Sequence, residues 1–434
     1  MNASPVMAGL DPATHPMAVE RQRGTDKTRM AGSSQAMTDK GASPFALTAN
    51  PSIVATATTH PIVIAAGGTG GHFFPAEALA AELIRRGHRI VLMTDARSGG
   101  LRSAVFADRE HFVLQGSGIA GRGVIRAARS VLALAAGIRE ARRIMRDLRP
   151  AVVVGFGGYP AVAPVVAAAF SRPRPAIILH EQNGVLGRAN RMLSRWCATL
   201  ALSLRATTRV PAGTRTEVTG NPVRPDIQAL FDAPYTPPDA EVRLLILGGS
   251  LGARVFSDIV PAALVALPDA LRARLSVTQQ CRTEDMDRVR SAYDAAGITA
   301  DLAPFFADVA ARLGAAHLVI ARAGASTVAE IAVAGRPSIL VPLPGAIDNH
   351  QDANARALSD TGAAWLMPQP AFTATALTER LAGLLTDPAG LTPTGLTPTG
   401  LTHAAQATRA AARPDAAARL ADLVEAHMHQ EARS

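Results

Sequence analysis

Short apolar runs along this chain stop abruptly at glycines, and apolar residues at helical spacing follow each stop. Ile62-Val63-Ile64 leads into Ala65-Ala66-Gly67-Gly68-Thr69-Gly70-Gly71-His72. A short β-branched run bounded in this way reads as a buried strand. Pro75 then opens Ala76-Glu77-Ala78-Leu79-Ala80-Ala81-Glu82-Leu83, read as a helix with proline in its first turn. The arrangement recurs at Arg243-Leu244-Leu245-Ile246-Leu247. That run meets Gly248-Gly249-Ser250-Leu251-Gly252-Ala253-Arg254, and a helical pattern starts at about Phe256. A third apolar run, Ala151-Val152-Val153-Val154, ends at Gly155-Phe156-Gly157-Gly158-Tyr159-Pro160. Strand, glycine loop and helix, repeated well apart, predict an α/β chain with two doubly wound Rossmann-like domains facing across a cleft.

Boundaries follow from turn residues. Residues 1–59, rich in Ala, Ser, Thr, Gly and Met, read as a disordered extension or the product of a misplaced start codon. Gly220-Asn221-Pro222-Val223-Arg224-Pro225 reads as a hinge, dividing a first domain at 60–221 from a second at 222–385. Leu391-Thr392-Pro393-Thr394-Gly395 is repeated at once as residues 396–400, so 386–403 read as a low-complexity insertion. A last helix, 414–430, is expected to pack back on the first domain. Residues 151–171 carry no charge, but Pro160, Pro164 and the glycine loop favour strand, loop and buried helix over a membrane span.

Glycines between a strand and a helix let backbone N–H groups approach an anion at the positive end of the helix dipole. The spacing excludes better-known loops. Phe73 stands where a dinucleotide fingerprint needs its third glycine, and no Gly-Lys-Ser/Thr follows. The chain holds only Lys27 and Lys40, both ahead of the first strand, so lysine-based phosphoryl transfer and Schiff-base chemistry are excluded. Cys197 and Cys281 fit no metal-ligand spacing, and with no secretory signal visible a reducing cytoplasm is the expected setting.

The net charge of +9 raises nucleic acid, anionic lipid and phosphorylated substrates as partners. Aromatic residues make up 4% of the chain, too few for base-stacking platforms, and no nucleic-acid motif is present. From Gly121 to Arg149, eight arginines face only Glu140 and Asp147 and flank the apolar run 131–138. A basic helix with an apolar centre suits an anionic membrane surface; a solvated arginine face is the plainer reading.

The motifs together carry a resemblance. Gly68-Thr69-Gly70-Gly71-His72, Gly157-Gly158-Tyr159, His180-Glu181-Gln182-Asn183 and Gly220-Asn221-Pro222-Val223-Arg224 occur in that order. Gly248-Gly249-Ser250-x-Gly252-Ala253-Arg254, Arg322-x-Gly324-Ala325-Ser326-Thr327-x-x-Glu330 and His350-Gln351-x-x-Asn354-Ala355 follow. From about residue 60 to about residue 430 the chain resembles the MurG family of peptidoglycan synthesis.

That resemblance implies a GT-B fold whose C-terminal domain holds most of the donor nucleotide. It implies an inverting transfer of N-acetylglucosamine from UDP-N-acetylglucosamine to the 4-hydroxyl of lipid I, giving lipid II, without cofactor or built-in metal. Asp285-Met286-Asp287 lies in a charged helical segment, Thr283 to Arg290, with no glycine loop beside it, and reads as solvated surface rather than a magnesium site. Glu330 resembles the carboxylate that accepts both ribose hydroxyls, and Ser250, Ser326 and Thr327 resemble pyrophosphate contacts. Ala325, Val328, Ala329 and Arg224 complete the donor set. Phe306 corresponds to the uracil reader, acting through backbone groups so that its side chain matters little, and Gln351 to the reader of sugar hydroxyls. Thr69, Gly70, Gly71 and Asn183 match positions that meet the donor sugar across the cleft; Gly68 and Tyr159 match the acceptor side. His72 is the candidate base for the acceptor hydroxyl, or a plain phosphate or backbone ligand. Glu181 is the rival base or the group that orients His72. The implied place is the cytoplasmic face of the bacterial inner membrane, held peripherally, with cell-wall and division-complex proteins as candidate partners. Another GT-B sugar transferase, a UDP-N-acetylglucosamine 2-epimerase and a non-catalytic UDP-sugar-binding protein are the rival readings.

Overall fold

The computed structural model describes residues 60–95, 103–114, 124–249, 252–386, 391–392, 395–396 and 400–431. The expected 1–59 extension lies outside them, as does half of the Leu-Thr-Pro-Thr-Gly repeat.

The first domain is built on seven strands: β1 (Ile62–Ala65), β2 (Ile90–Asp95), β3 (His111–Leu114), β4 (Val152–Gly155), β5 (Ala176–Glu181), β6 (Thr199–Leu202) and β7 (Thr216–Val218). They lie in the order β3-β2-β1-β4-β5-β6-β7, every pairing parallel. The second domain has six: β8 (Val242–Leu247), β9 (Leu275–Gln280), β10 (Thr299–Ala303), β11 (Leu318–Ala321), β12 (Ser338–Leu340) and β13 (Ala364–Leu366). Their order is β10-β9-β8-β11-β12-β13, again wholly parallel. Both are doubly wound Rossmann-like sheets, the GT-B arrangement.

Helices on both faces explain why the strands read as unbroken apolar runs. Side chains alternate across a strand, so Ile62 and Ile64 enter one core with Leu79 and Leu83 while Val63 enters the opposite core with Met145. In the second sheet Leu244 and Ile246 face Phe256, and Leu245 faces Ile331.

The last helix, Ala416–Glu431, returns to the first domain. Leu420 and Val424 are fully buried beside Ile62 and Leu79. Arg86 Nη1 reaches Asp422 Oδ1 at 2.6 Å and Glu425 Oε2 at 2.7 Å, and His88 Nε2 meets Glu425 Oε1 at 2.7 Å. Burying each aliphatic side chain contributes about 1.5–3 kcal/mol, against about 0–1 kcal/mol for an exposed ion pair. Apolar burial therefore anchors this helix, and the ion pairs set its register.

Two elements differ from the sequence reading. The first helix spans Gly70–Arg85 and contains Pro75, rather than opening at it. Proline there removes one intrahelical hydrogen bond, the one the Gly71 carbonyl would accept; a contact from the second domain takes its place, as shown below. A helix at Leu401–Ala411 begins inside the range assigned to the insertion, because Leu401 is fully buried in the second domain's core. Ahead of it, Leu391–Thr392 pairs antiparallel with Gly395–Leu396. The uncharged stretch after β4 folds as expected, into a turn at Tyr159–Ala161 and a buried helix at Val162–Ala169. Among the described residues no helix is long and apolar enough to cross a membrane.

Candidate active site

In open parallel sheets, ligands bind beyond the strands' carboxyl ends, where neighbouring strands lead their helices to opposite faces. The first sheet has that switch point between β1 and β4, the second between β8 and β11. The glycine loops stand there: Gly67–Gly71 after β1, Gly157-Gly158 after β4, Gly248-Gly249 after β8 and Gly324 after β11.

Thr69 begins the first helix. Its carbonyl accepts from the amides of His72 at 3.2 Å and Phe73 at 3.1 Å, and its side chain makes no cap. The helix N-terminus therefore leaves first-turn amides for a ligand. Gly68 lies at the foot of this loop, and Tyr159 follows Gly158 in the facing turn.

His72 sits on the third residue of the helix. Its Nδ1 lies 3.0 Å from Gln182 Oε1. The Gln182 amide nitrogen donates to the carbonyls of Phe156 at 3.0 Å and His180 at 3.2 Å. With the nitrogen held by carbonyls, Oε1 is left as the acceptor, so His72 Nδ1 carries a proton, and in the neutral ring the lone pair is on Nε2. Gly158 crowds the other side of the ring. At φ +65, a Cβ there would stand 3.2 Å from His72 Nε2, so only glycine lets the ring lie where it does.

Glu181 does not orient His72. Its carboxylate accepts from the Asn183 amide and Asn183 Nδ2 at 3.0 Å each, Gly187 N at 2.9 Å and Asn190 Nδ2 at 3.0 Å. Successive residues at a strand end point to opposite sides, so Gln182 shares its side with His180, while Glu181 faces the loop after β5. His180 is fully buried, bonded through Nε2 to the Gly220 carbonyl at 3.0 Å. Burial lowers its pKa to about 4, and it stays neutral.

Most residues of the expected donor set lie on the second domain. Ala325, Ser326, Thr327, Val328, Ala329 and Glu330 occupy the first turns of the helix Ala325–Ala334, behind Gly324. Glu330 Oε1 lies 3.6 Å from Arg224 Nη2. Burial pushes the Glu330 carboxyl up to about 7, with Arg224 opposing the rise. With its side chain only 13% exposed, Glu330 is not an ordinary solvated helix glutamate. The Arg224 guanidinium also lies 5.3 Å from the Phe74 ring centre, so this one side chain touches both domains.

Ser326 Oγ donates to the Gly71 carbonyl across the cleft at 3.4 Å, the carbonyl that Pro75 leaves without its helical donor. Asn183 Oδ1 accepts from Asn354 Nδ2 at 3.1 Å, and Asn354 Oδ1 accepts from Gly184 N at 2.8 Å. Gln351, in the first turn of the helix His350–Ser359, uses Oε1 to accept Leu343 N at 2.9 Å. Phe306 stands apart, in the loop after β10. Its ring is buried, with the Arg312 guanidinium 4.1 Å from its centre, so its side chain matters more than a backbone reader requires. Ser250 lies outside the described residues.

The Asp285–Asp287 pair is also not the solvated surface expected. Asp285 is buried, its carboxylate clasped by Arg282 Nε at 3.1 Å and Arg288 Nη2 at 3.0 Å; Asp287 is exposed.

Gln182, Asn354 and Arg322 were not singled out from sequence, although each lies inside a quoted motif. Arg322 is buried at the end of β11. It donates to the carbonyls of Val341 at 3.1 Å and Pro342 at 3.2 Å and to Gln369 Oε1 at 2.6 Å. It thereby ties the β11 and β12 loops together and brings positive charge close to the start of the helix Ala325–Ala334.

Comparison with known proteins agrees with this arrangement. The family model of the glycosyltransferase family 28 N-terminal domain matches residues 62–202, and that of the C-terminal domain matches residues 243–407. A relative in Granulibacter bethesdensis is 62% identical over 370 residues, covering 84% of this chain and 93% of its own. One in Gluconobacter oxydans is 53% identical over 367 residues, covering 84% and 98%. Both are named UDP-N-acetylglucosamine–N-acetylmuramyl-(pentapeptide) pyrophosphoryl-undecaprenol N-acetylglucosamine transferase. Among solved structures, MurG of Acinetobacter baumannii superposes with a TM-score of 0.67 at 30% identity, over 84% of this chain and 99% of that one. A UDP-N-acetylglucosamine 2-epimerase of Listeria monocytogenes reaches 0.59 at 13% identity, a likeness of fold alone.

Proposed function

From a chain that belongs to glycosyltransferase family 28, and within it to the MurG transferases, we infer how this site moves N-acetylglucosamine from UDP-N-acetylglucosamine to lipid I to form lipid II. The observation that carries the mechanism is His72 with its Nδ1 proton fixed by Gln182. Its Nε2 is the base. It takes the proton of the acceptor 4-hydroxyl as that oxygen bonds to the anomeric carbon on the face opposite UDP. The anomeric C–O bond breaks, its electrons leave on the terminal phosphate of UDP, and the configuration inverts. In-line positioning and one base supply most of what this step needs.

The departing pyrophosphate is met by the N-terminus of the helix at Ala325, by Ser326 and Thr327, and by Ser250 on the β8 loop. Arg224 and the buried Arg322 add positive charge nearby, so the leaving group is stabilised by protein alone. Glu330 accepts the ribose hydroxyls, and Gln351 reads the sugar. Thr69, Gly70, Gly71 and Asn183 meet that sugar from the first domain, while Gly68 and Tyr159 shape the acceptor side. Glu181 is a scaffold for the loop that carries Asn183.

The first domain, 60–221, is the acceptor and membrane half, and 222–385 the donor half. Val131 and Leu132 on the helix Val124–Leu148 are 60% and 69% exposed, and Phe170 is 55% exposed. Further along that helix Arg139, Arg142, Arg143, Arg146 and Arg149, with Arg172 and Phe170, line a cavity of about 430 Å³. Exposed apolar residues and clustered arginines on one helix suit shallow, reversible binding to anionic lipid. Serine at Val131 and Leu132 is expected to weaken vesicle binding and to leave UDP binding unchanged; equal vesicle binding would remove this part.

The test of the whole is incubation with radiolabelled UDP-N-acetylglucosamine and a short-chain lipid I analogue, with and without EDTA. Label in the lipid fraction, undiminished by EDTA and β-linked, is the expected result. Loss of transfer in EDTA would overturn the metal-free account. Free sugar or an altered UDP-sugar without lipid labelling would overturn the assigned acceptor.

A further inference from the structure

The loop that leads to Gln351 is fastened to the other domain at one residue. Asp348 Oδ1 lies 2.5 Å from Arg209 Nη1, and Asp348 Oδ2 lies 3.4 Å from Arg188 Nε and 3.6 Å from Arg191 Nη2. The carboxylate is only 15% exposed although its three partners lie at the surface. The Arg209 hydrogen bond holds its pKa below the usual carboxylate range, so it is ionised wherever the enzyme works.

Backbone strain gathers at the same place. Among the described residues four non-glycines have positive φ: Arg149, Arg209, Asp348 and Asn349. Arg209 (φ 63) and Asp348 (φ 56) are direct partners in this contact, and Asn349 (φ 56) follows. Non-glycine residues persist in the left-handed region only where surroundings over-determine them, commonly at sites that hold a ligand or switch state.

The loop is closed on itself by Gln351 Oε1 accepting Leu343 N at 2.9 Å. The helix after it is pinned to the first domain again through Asn354 and Gly184 N at 2.8 Å. Gln351 lies between these two anchors, three residues from each.

We propose that Asp348 is a positioning residue for the donor sugar: Arg188, Arg191 and Arg209 of the acceptor half hold it, and through its loop they set where Gln351 stands. Donor-sugar recognition is thereby made conditional on the two domains being closed. The inference rests on the reading of Gln351 as the residue that contacts the sugar.

The experiment is calorimetric titration of the full chain with UDP-N-acetylglucosamine and, separately, with UDP, which lacks the sugar. Asp348→Asn keeps a residue that tolerates the left-handed backbone and removes the charge. It is expected to weaken UDP-N-acetylglucosamine about five-fold, the effect of one partly exposed ion-pair network, and to leave UDP within about two-fold. Arg209→Ala should do the same, and the double variant should be no worse than either single one. Equal weakening of both ligands, or no change in either, overturns the proposal. So does a loss with Asp348→Ala that Asp348→Asn does not share, since the backbone rather than the ion pair would then be responsible. Gln351→Ala separates the two layers. If it weakens the sugar nucleotide selectively while Asp348→Asn does not, the latch falls and the reading of Gln351 stands; if it shows no selectivity, both fall.

Discussion

The two switch points are built on the same plan and equipped for different work. At the first, between β1 and β4, the helix N-terminus carries a titratable side chain braced on two sides, by Gln182 and by the Gly158 turn. At the second, between β8 and β11, the first turn after Gly324 carries only Ala325, Ser326 and Thr327, and the titratable Glu330 sits further along the helix against Arg224. On the proposed reading both ends offer amides to an anion, but only the first offers a base. The fold supplies two anion cradles, and the side chains of the first helical turn decide which one does proton chemistry.

The largest effect that can break this division is at His72. His72→Ala is expected to lower kcat by about 10²–10⁴-fold, the usual worth of a general base, with UDP affinity unchanged. Transfer rates in single-turnover assays beside UDP titrations measure both. If UDP affinity fell as well, the first loop would be part of the donor cradle and the division would fail. Gln182→Ala should give a smaller loss of kcat and shift its pH profile, because His72 would lose the partner that fixes its tautomer.

The reciprocal test is Gly248→Ala. A Cβ there would stand 2.4 Å from the Ala253 amide nitrogen, a backbone atom that cannot swing aside. Displacing this loop by an ångström should weaken UDP about 10²-fold. Vesicle binding, a first-domain property, should not change; a parallel loss would mean global misfolding rather than damage to one cradle.

The division was legible from sequence to different depths. Strands β1, β4 and β8 could be read because parallel strands covered on both faces are unbroken apolar runs ended by glycine. The edge strands β7, Thr216–Val218, and β10, Thr299–Ala303, carry no such run, since an edge strand need not be apolar on both sides. Adjacency misled the reading of Glu181. It neighbours Gln182 in the chain, but strand alternation turns the two away from each other, so the residue beside the better candidate orients His72. Pro75 misled in the same way. Proline usually opens a helix, and here the five residues ahead of it, 70–74, are already helical, with a second-domain donor on the Gly71 carbonyl that Pro75 leaves unpaired. Asp285 was read as solvated from the charged segment around it, although its i−3 and i+3 neighbours Arg282 and Arg288 lie at the helical spacing that lets them clasp it.

A third test sharpens the donor side through pH. Glu330 has its pKa raised to about 7 by burial, and accepting two ribose hydroxyls favours the ionised form. UDP-N-acetylglucosamine affinity should therefore fall about ten-fold from pH 8 to pH 6, since proton and ligand compete for one carboxylate. The stability contribution has the opposite sign. A carboxyl whose folded pKa lies above its unfolded value favours the fold below the unfolded pKa, and this is lost as pH rises through about 7. Glu330→Gln should flatten both dependences. Affinity that stays level with pH in the unaltered enzyme would mean that Glu330 does not hold the ribose.

The smallest expected effect probes the seam between the two cradles. Ser326 Oγ reaches the Gly71 carbonyl at 3.4 Å, near the limit for a hydrogen bond. Ser326→Ala should therefore cost about 0.5 kcal/mol of stability, the low end for a single bond. The explanation given for that bond makes a sharper statement than its size. Gly71 is available to Ser326 because Pro75, four residues on, has no N–H to donate. Pro75→Ala returns that donor, so Ser326→Ala should cost nothing in the Pro75→Ala background. Denaturant unfolding of the four proteins in this double-mutant cycle gives the coupling directly. Coupling of about 0.5 kcal/mol would tie proline's place in the first helix to the second domain. Additive costs would show that the helix tolerates Pro75 for reasons internal to the first domain, and that the two cradles meet there without either depending on the other.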